Sequence, residues 1–446
     1  MNTKFFTFLS IAMLGFGSLS AQSTAGYIFT LPQAIDYAFK NQAAVLNAQI
    51  EEQIAKNTVK QTTGIGLPQV SGSFSFQDFL KLPTSLLPGE FFGDPAGTYK
   101  PVQFGVKYQS VLGLEASQLL FDGSYLVGLQ AAKTFKELSI RNSKRTKIEV
   151  AVAVSKAYYS VLVSNEQLGL LDANLVRLHK SLHDIEAYYK NGLVEKVDVD
   201  RLQVLTNNLE TERENVVRLL ALNTNLLKFQ MGMPIENKLT LSDSITALSL
   251  TADVLVADSL AYKNRVEFSL GQTQKKLNEL NLKRYKSEFL PSIVAFGGTS
   301  NSYQNNSFSQ LFSQYYPTSL VGLRLSVPII SGGQRIYKIK NARLEVQKSA
   351  NDLANLQNGI NLEINQAKTN FLNGLQSLEN QKRNMELSKE VLRVSKIKYE
   401  QGVGSSLEVT AAETALKESQ NNYINALYES LINKVNLDRA LGRINY

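Results

Sequence analysis

Between residues 168 and 189 the apolar residues Leu168, Leu171, Leu175, Leu178, Leu182, Ile185 and Tyr189 recur at alternating steps of three and four. That is the spacing of a coiled-coil seam. The seam lies in a run of about 65 to 70 residues without proline that begins after LFDGS (120–124), and as a helix at about 1.5 Å per residue it would reach ~100 Å. A matching run follows IISGG (329–333). There Leu378, Met385, Leu392 and Tyr399 keep half of the seam, while Ser388 and Ser395 fill the alternate slots. Small residues at those slots permit either close helix approach or a face that needs less apolar cover. Both seams stop at similar stretches, YKNGLVEKVDV (189–199) and YEQGVGSSLEV (399–409). Gly192 and Gly402 are placed to end one helix, as a C-terminal glycine does. A second helix of about 35 residues then runs to Gly232 or Gly442. The pattern predicts two long helical hairpins with turns at 189–199 and 399–409.

Ahead of each long run the period changes from helical to two. VSGSFSF (70–76) and a run from Val106 to Phe121 read as one pair of strands, SIVAFGG (292–298) and TSLVGLRLSVPII (318–330) as another. Leu112 and Leu114 alternate with Gly113 and Glu115; Val321, Leu323, Leu325 and Val327 alternate with Gly322, Arg324 and Ser326. Two faces in different environments follow from that alternation. The intervening loops, LPTSLLPGEFFGDPAGTY and NSYQNNSFSQLFSQYY, are rich in aromatics. These fit an aromatic belt at a membrane interface and equally an apolar cluster in a soluble β subdomain. Helices are predicted before each strand pair, at about 31–63 and 255–288, ending ahead of Pro68 and Pro291.

The order of elements repeats, and so do residues. AFKN (38–41) is echoed by AYKN (261–264), and Leu67-Pro68 by Leu290-Pro291, at an offset of 223. The offset falls to 209 at Gly113 and Gly322 and settles at 210, pairing Tyr189, Gly192 and Val199 with Tyr399, Gly402 and Val409. Collinear matches of this kind imply two copies of one unit, 22–240 and 241–446. β-Hairpins are expected at about 68–121 and 290–330. The larger offset at the start gives the first copy a longer insertion between its strands, where variable length points to a loop.

Composition narrows the possibilities. With 43% hydrophobic and 19% charged residues the chain can bury a sizeable core. The net charge of +8 is spread among acids along helical segments, so it reads as a mildly basic solvated surface, with no nucleic-acid partner expected. MNTKFFTFLSIAMLGFGSLSAQ has the layout of a secretory signal covering 1–21, with a cut before Gln22. The chain contains no cysteine, which excludes disulfides and a cysteine-linked lipid. No other stretch of about 18 apolar residues occurs, so any membrane crossing is not by hydrophobic helices.

Candidate chemistry is sparse. His179 and His183 share a helix face at i, i+4, but they are the only histidines and lack the HExxH pattern, so a solvated face is the expectation. Ser395 and Lys398 form an isolated SxxK without companion motifs. Gly402-Val403-Gly404 follows no strand and so opens no phosphate loop. No catalytic residue, cofactor or metal site is expected.

The signal sequence, the duplicated helix–strand–strand–long helix–turn–helix unit, LFDGS and IISGG at the strand-to-helix junctions, and the two turn motifs together resemble the TolC-like outer-membrane efflux proteins. The resemblance covers essentially the whole mature chain. It implies an α+β membrane protein in which each protomer gives four strands to a twelve-stranded barrel of a homotrimer, with the long helices forming a periplasmic α-barrel. The implied role is the passive exit duct of a tripartite efflux or type I secretion system in a Gram-negative outer membrane, contacting outer-membrane lipid. The implied partners are a periplasmic adaptor and an inner-membrane pump of the resistance-nodulation-division or ABC type. The turns would form the periplasmic tip, with Gly192, Leu193, Val194, Gly402, Val403 and Gly404 meeting the adaptor. Asp198 matches the family's tip acid and Tyr399 the tyrosine that bonds to it in the closed state. Glu408 matches an acid that rings the aperture, and Tyr189 is the first-copy counterpart of Tyr399 in the gate. Two departures bear on the gate: Gly404 stands where some members carry a basic residue, and Ala411 where some carry a second acid. Asp198 and Glu408 are also simply acids at helix N-termini, favoured by the dipole.

Physical constraints point the same way. Four strands cannot close a barrel, and an open sheet edge is not tolerated in lipid; trimerisation removes both difficulties. A periplasmic coiled-coil adaptor is the main rival, and it would be expected to carry one hairpin rather than two equivalent copies. A secreted enzyme would need a polar constellation that the sequence does not offer.

Overall fold

A computed structural model describes residues 27–243, 245 and 261–444. The signal sequence expected at 1–21 and residues 255–260 of an expected helix lie outside them. The chain starts with β1 (Tyr27–Phe29), α1 (Leu31–Asn41) and α2 (Ala43–Gly64). Thr30 caps α1 in a reciprocal box with Gln33. The single helix expected at 31–63 is therefore broken at Gln42, whose backbone is extended. The break frees the Gln42 side chain to donate to the carbonyls of Phe229 and Gln230, each at 3.2 Å. Those two carbonyls belong to the last turn of a later helix, where the regular helical partners run out and the Phe229 carbonyl otherwise accepts from the Gly232 amide at 3.0 Å. The same device recurs ahead of the second strand pair. Ala261–Asn264 form a 3-10 turn, Arg265 is extended, and only then does a helix run from Val266 to Ser287. Arg265 Nη1 donates to the carbonyl of Ala440 at 3.3 Å.

Four long strands form one antiparallel sheet. They are β2 (Gln69–Asp78), then, beyond β3 (Thr84–Pro88) and β4 (Tyr99–Gln103), β5 (Tyr108–Phe121), with β7 (Ser292–Asn305) and β8 (Tyr315–Ser326) later in the chain. The order is β2-β5-β7-β8. The insertion predicted as a loop folds into an antiparallel hairpin of its own, β3 paired with β4. β8 stops at Ser326, so residues 327–330 fall outside the strand expected to reach 330. Register fixes what each face carries. Val70, Phe74, Leu112, Leu114, Ala116, Val321, Leu323 and Leu325 share one face. Ser71, Ser73, Ser75, Gly113, Glu115, Ser300, Ser302 and Arg324 share the other. The apolar face is uncovered, with Val321 91% and Leu323 71% exposed. Among the described residues, β2 and β8 each leave one edge unpaired.

From the sheet the chain enters α3 (Gly123–Lys190, 68 residues), capped by Asp122 accepting from the Tyr125 amide at 2.7 Å. α4 (Lys196–Met231) returns, and β6 (Leu239–Leu241) pairs in parallel with β1. The boundary expected at 240/241 thus runs through β6, because this short strand is pinned to the start of the chain. After α5 (Val266–Ser287) and the second strand pair come α6 (Gln334–Glu400, 67 residues) and α7 (Ser406–Ala440). Among the described residues no helix is long and apolar enough to cross a membrane.

The largest core sits midway along α3, where Val150–Ser164 is buried on most sides against Ala34, Ala38, Leu227, Met231, Ile424, Leu427 and Leu431. Tyr158, fully buried there, donates to the Phe29 carbonyl and to Asp243 at 2.7 Å. Burial, reinforced by Asp243, pushes the Tyr158 hydroxyl well above its ordinary range, so it remains a donor. Beyond this core each hairpin packs on itself. Leu171, Leu175, Leu178, Leu182 and Ile185 meet Leu202, Leu209 and Val216, whereas in the other hairpin Met385 and Leu392 meet Ala412 and Leu416. The seam predicted to end on Tyr189 ends on Ile185, since Tyr189 is 44% exposed.

Candidate functional site at the helix turns

Both hairpins turn in the same way. The amide of Gly192 donates to the Tyr189 carbonyl at 2.9 Å and that of Leu193 to the Tyr188 carbonyl at 3.0 Å. Gly402 and Val403 repeat the pair on Tyr399 and Lys398, each at 3.0 Å. This is the Schellman closure, which requires a left-handed residue after the C-cap; Gly192 and Gly402 supply it with φ of 73° and 75°. Gly404 is crowded instead: a Cβ added there would lie 3.0 Å from the Lys398 Cβ and 3.1 Å from the Tyr399 amide nitrogen, so a larger residue would push the turn by a few tenths of an ångström. Leu193 and Val403 project into solvent, 71% and 76% exposed, while Val194 packs on the hairpin core.

The two turns lie side by side. Asp198, in the first turn of α4, accepts a hydrogen bond from the hydroxyl of Ser406, the first residue of α7. Arg201, one turn on, donates to the same carboxylate oxygen at 3.2 Å. Tyr399 lines the same cavity as Asp198, Tyr188 and Ser406. Its hydroxyl oxygen is buried and has no hydrogen-bond partner among the described residues. The bond from Tyr399 to Asp198 implied by the resemblance is not made here; Ser406 and Arg201 take the carboxylate instead. Burial, then the nearby Asp198 and Tyr188, raise the Tyr399 hydroxyl above its ordinary range, which keeps it protonated. Glu408 is exposed in the first turn of α7, and its amide donates to the capping Ser405 hydroxyl at 3.3 Å. Tyr189 stays outside the cavity, and its neighbour Tyr188 lines it.

Glu413, Lys396 and Ser181 line the same cavity and belong to a polar cluster that the sequence reading did not single out. The Glu413 side chain, 3% exposed on α7, receives Arg177 of α3 through Nε at 3.1 and 3.2 Å and Nη2 at 2.9 Å. Lys396 of α6 reaches Oε1, which it shares with Arg177 Nε, at 2.9 Å and also donates to Ser181 at 3.2 Å. Arg177 further donates to Asn174, which donates to Gln420 at 2.5 Å. The available signal was position: Glu413 adjoins Ala412 and lies one turn before Leu416 in the buried stripe of α7. An acid in such a stripe calls for buried cations. His179 and His183 take no part; His179 lies 3.5 Å from Glu210 on an exposed face. Among the described residues no group of three or more potential ligands could hold a metal.

A family profile described as outer membrane efflux protein matches residues 34–221 and 281–443. The chain belongs to that family. Outer membrane protein TolC of Vibrio cholerae is 20% identical over 335 residues, 75% of this chain and 76% of the relative. A probable efflux pump outer membrane protein of Pseudomonas putida, TtgC, is 22% identical over 454 residues, 95% and 90% of the two chains. The open state of the MtrE outer membrane channel of Neisseria gonorrhoeae superposes with a TM-score of 0.75 at 18% identity, covering 92% of this chain and 88% of that one. The fold is therefore that of the outer-membrane efflux channels, a helical barrel wall joined to a barrel-forming sheet.

Proposed function

We propose that this chain is the outer-membrane exit duct of a tripartite efflux or type I secretion assembly, a passive conduit without catalysis. The observation that carries this reading is the four-stranded sheet, apolar on one face and polar on the other, with both edges unpaired among the described residues and helices of 68 and 67 residues leading away from it. Lipid accepts such a sheet only when its edges are closed. Three protomers, each offering β2 to one neighbour and β8 to the other, would close it as twelve antiparallel strands. Two copies of one unit per chain would then give six hairpins around a periplasmic tube. The names of the relatives, TolC and an efflux pump outer membrane protein, support the same role.

In this reading the tip is the gate. Asp198 holds Ser406, the Tyr399 hydroxyl waits beside them, exposed Glu408 faces the aperture, and Tyr189 lies on the outer surface. The exposed turn residues Leu193 and Val403, carried by Gly192, Val194, Gly402 and Gly404, form the contact for a periplasmic adaptor coupled to an inner-membrane pump of the resistance-nodulation-division or ABC type. Purified protein in planar bilayers tests the reading. Asp198→Ala combined with Tyr399→Phe is expected to raise single-channel conductance; an unchanged value removes these residues from the gate. A monomer recovered from the soluble fraction would sink the channel.

A further inference from the structure

We propose that Glu413 is a positioning residue of the gate, a clamp that holds α3, α6 and α7 together so that opening is confined to the helix segments between it and the turns. The inference rests on the channel reading above and adds to it a defined upper limit of the moving parts.

Among the described residues, the two hairpins touch through three sets of side-chain polar contacts. At the turns there is one hydrogen bond, Asp198 with Ser406, whose acceptor is 17% exposed. Further from the turns, Glu212 of α4 takes Lys417 at 2.5 Å and Asn421 at 3.2 Å, both on α7, with Glu212 and Lys417 each about one-quarter exposed. The Glu413 cluster starts nearer the turns, seven residues beyond Ser406 on α7, and its flank Gln420 lies level with Lys417 and Asn421; it is different in kind. Its carboxylate is nearly removed from water and balanced by two cations from two different helices. Its flanks, Asn174 and Gln420, are 4% and 6% exposed and bonded to one another. Separating such a group from its cations leaves a buried charge without compensation, which is costlier than exchanging a partly buried hydrogen bond for water. The tip contact therefore yields first, and movement stops where the cost rises. Lys396 makes the arrangement a clamp rather than a simple pair. It belongs to α6, the helix that leads into the Gly402 turn, and Ser181 ties it to α3 as well.

The experiment uses the full-length protein in planar bilayers, comparing wild type with Ser406→Ala, Glu413→Gln, Lys396→Gln and the double variant Ser406→Ala/Glu413→Gln. Lys396 is partly exposed, so its variant removes one cation without emptying a buried site. The expected result is at least a twofold rise in conductance or open time for Glu413→Gln and for Lys396→Gln, and a larger rise in the double variant than in Ser406→Ala. Glu413→Asp should return most of the way to wild type. The amount and heat resistance of the folded oligomer are measured alongside, because a purely structural residue would change these without changing the conductance of the channels that remain. Response of Ser406→Ala with none from Glu413→Gln or Lys396→Gln overturns the clamp and leaves the gate standing. No conductance from wild type or any variant overturns the channel reading and the clamp with it.

Discussion

Asp198 and Ser406 join the first turn of α4 to the first turn of α7, so, whereas the bonds of Arg201 to Asp198 and Glu408 to Ser405 stay within one hairpin each, this side-chain bond at the turns runs between the two hairpins. Its acceptor is the acid that the sequence marks at the tip, and its donor is a serine that the sequence does not. Asp198 and Glu408 stand at equivalent places, 210 residues apart, yet only the first is tied down.

Ser406→Ala is accordingly expected to loosen the tip as much as Asp198→Ala does, and the double variant to add little to either. A hydrogen bond to a partly exposed carboxylate should give a coupling energy of about 1 to 2 kcal/mol. Tyr399→Phe alone should leave conductance near wild type, since its hydroxyl has no partner to lose. Single-channel recording of the four proteins checks the cycle.

The two faces of the sheet should respond oppositely to charge. Val321→Lys places an ammonium on the apolar face and should cost about 2 to 4 kcal/mol if it lies near mid-membrane, lowering the amount of assembled protein in the outer membrane. Ser300→Lys, on the opposite face, should assemble normally. Quantifying the oligomer in membrane fractions separates the two; equal losses would mean that the faces are not in different media.

Acid should weaken the Arg265 anchor at the start of α5. Arg265 is buried and bonded to Glu267 at 2.9 and 3.0 Å and to Glu363 at 3.0 Å. Burial pushes the Glu267 carboxyl up, but the hydrogen bonds and charge of Arg265 outweigh it and hold the group below its ordinary 4.5. Because the folded value is the lower one, the stabilisation is present above pH 4.5 and is lost as pH falls through the folded value. Thermal unfolding of wild type and Glu267→Gln across this range should show a gap that closes on the acid side.

Much of this architecture is written in local periodicity. The three-and-four spacing from Leu168 to Ile185 and its stop at Gly192 suffice to draw a hairpin, because seam and turn are both set by neighbouring residues. Alternation from Val321 to Leu325 likewise gives the faces of β8. Long-range contacts are not legible in that way. Nothing near Gln42 announces that its amide caps a helix 187 residues away, so the break in the first helix was invisible. The Glu413 cluster is hidden for the same reason: Arg177, Lys396 and Glu413 are ordinary helix residues until three helices bring them together. Gly404 shows the limit of reading by likeness. A Cβ there would press on the Lys398 Cβ and the Tyr399 amide nitrogen, a crowding that comparison of motifs does not reveal.

The continuity of α3 has a mechanical consequence. The helix is gripped on most sides over Val150–Ser164 and ends at Lys190 without a break. From Ser164 to Lys190 it is a stiff arm of about 40 Å, so a tilt of only about 5° at its root would carry the turn some ~3 Å, a full hydrogen-bond length. Small strains in the middle of the molecule are thus geared up at its far end, and α6, equally unbroken, offers the same leverage to anything that pulls on Gly402.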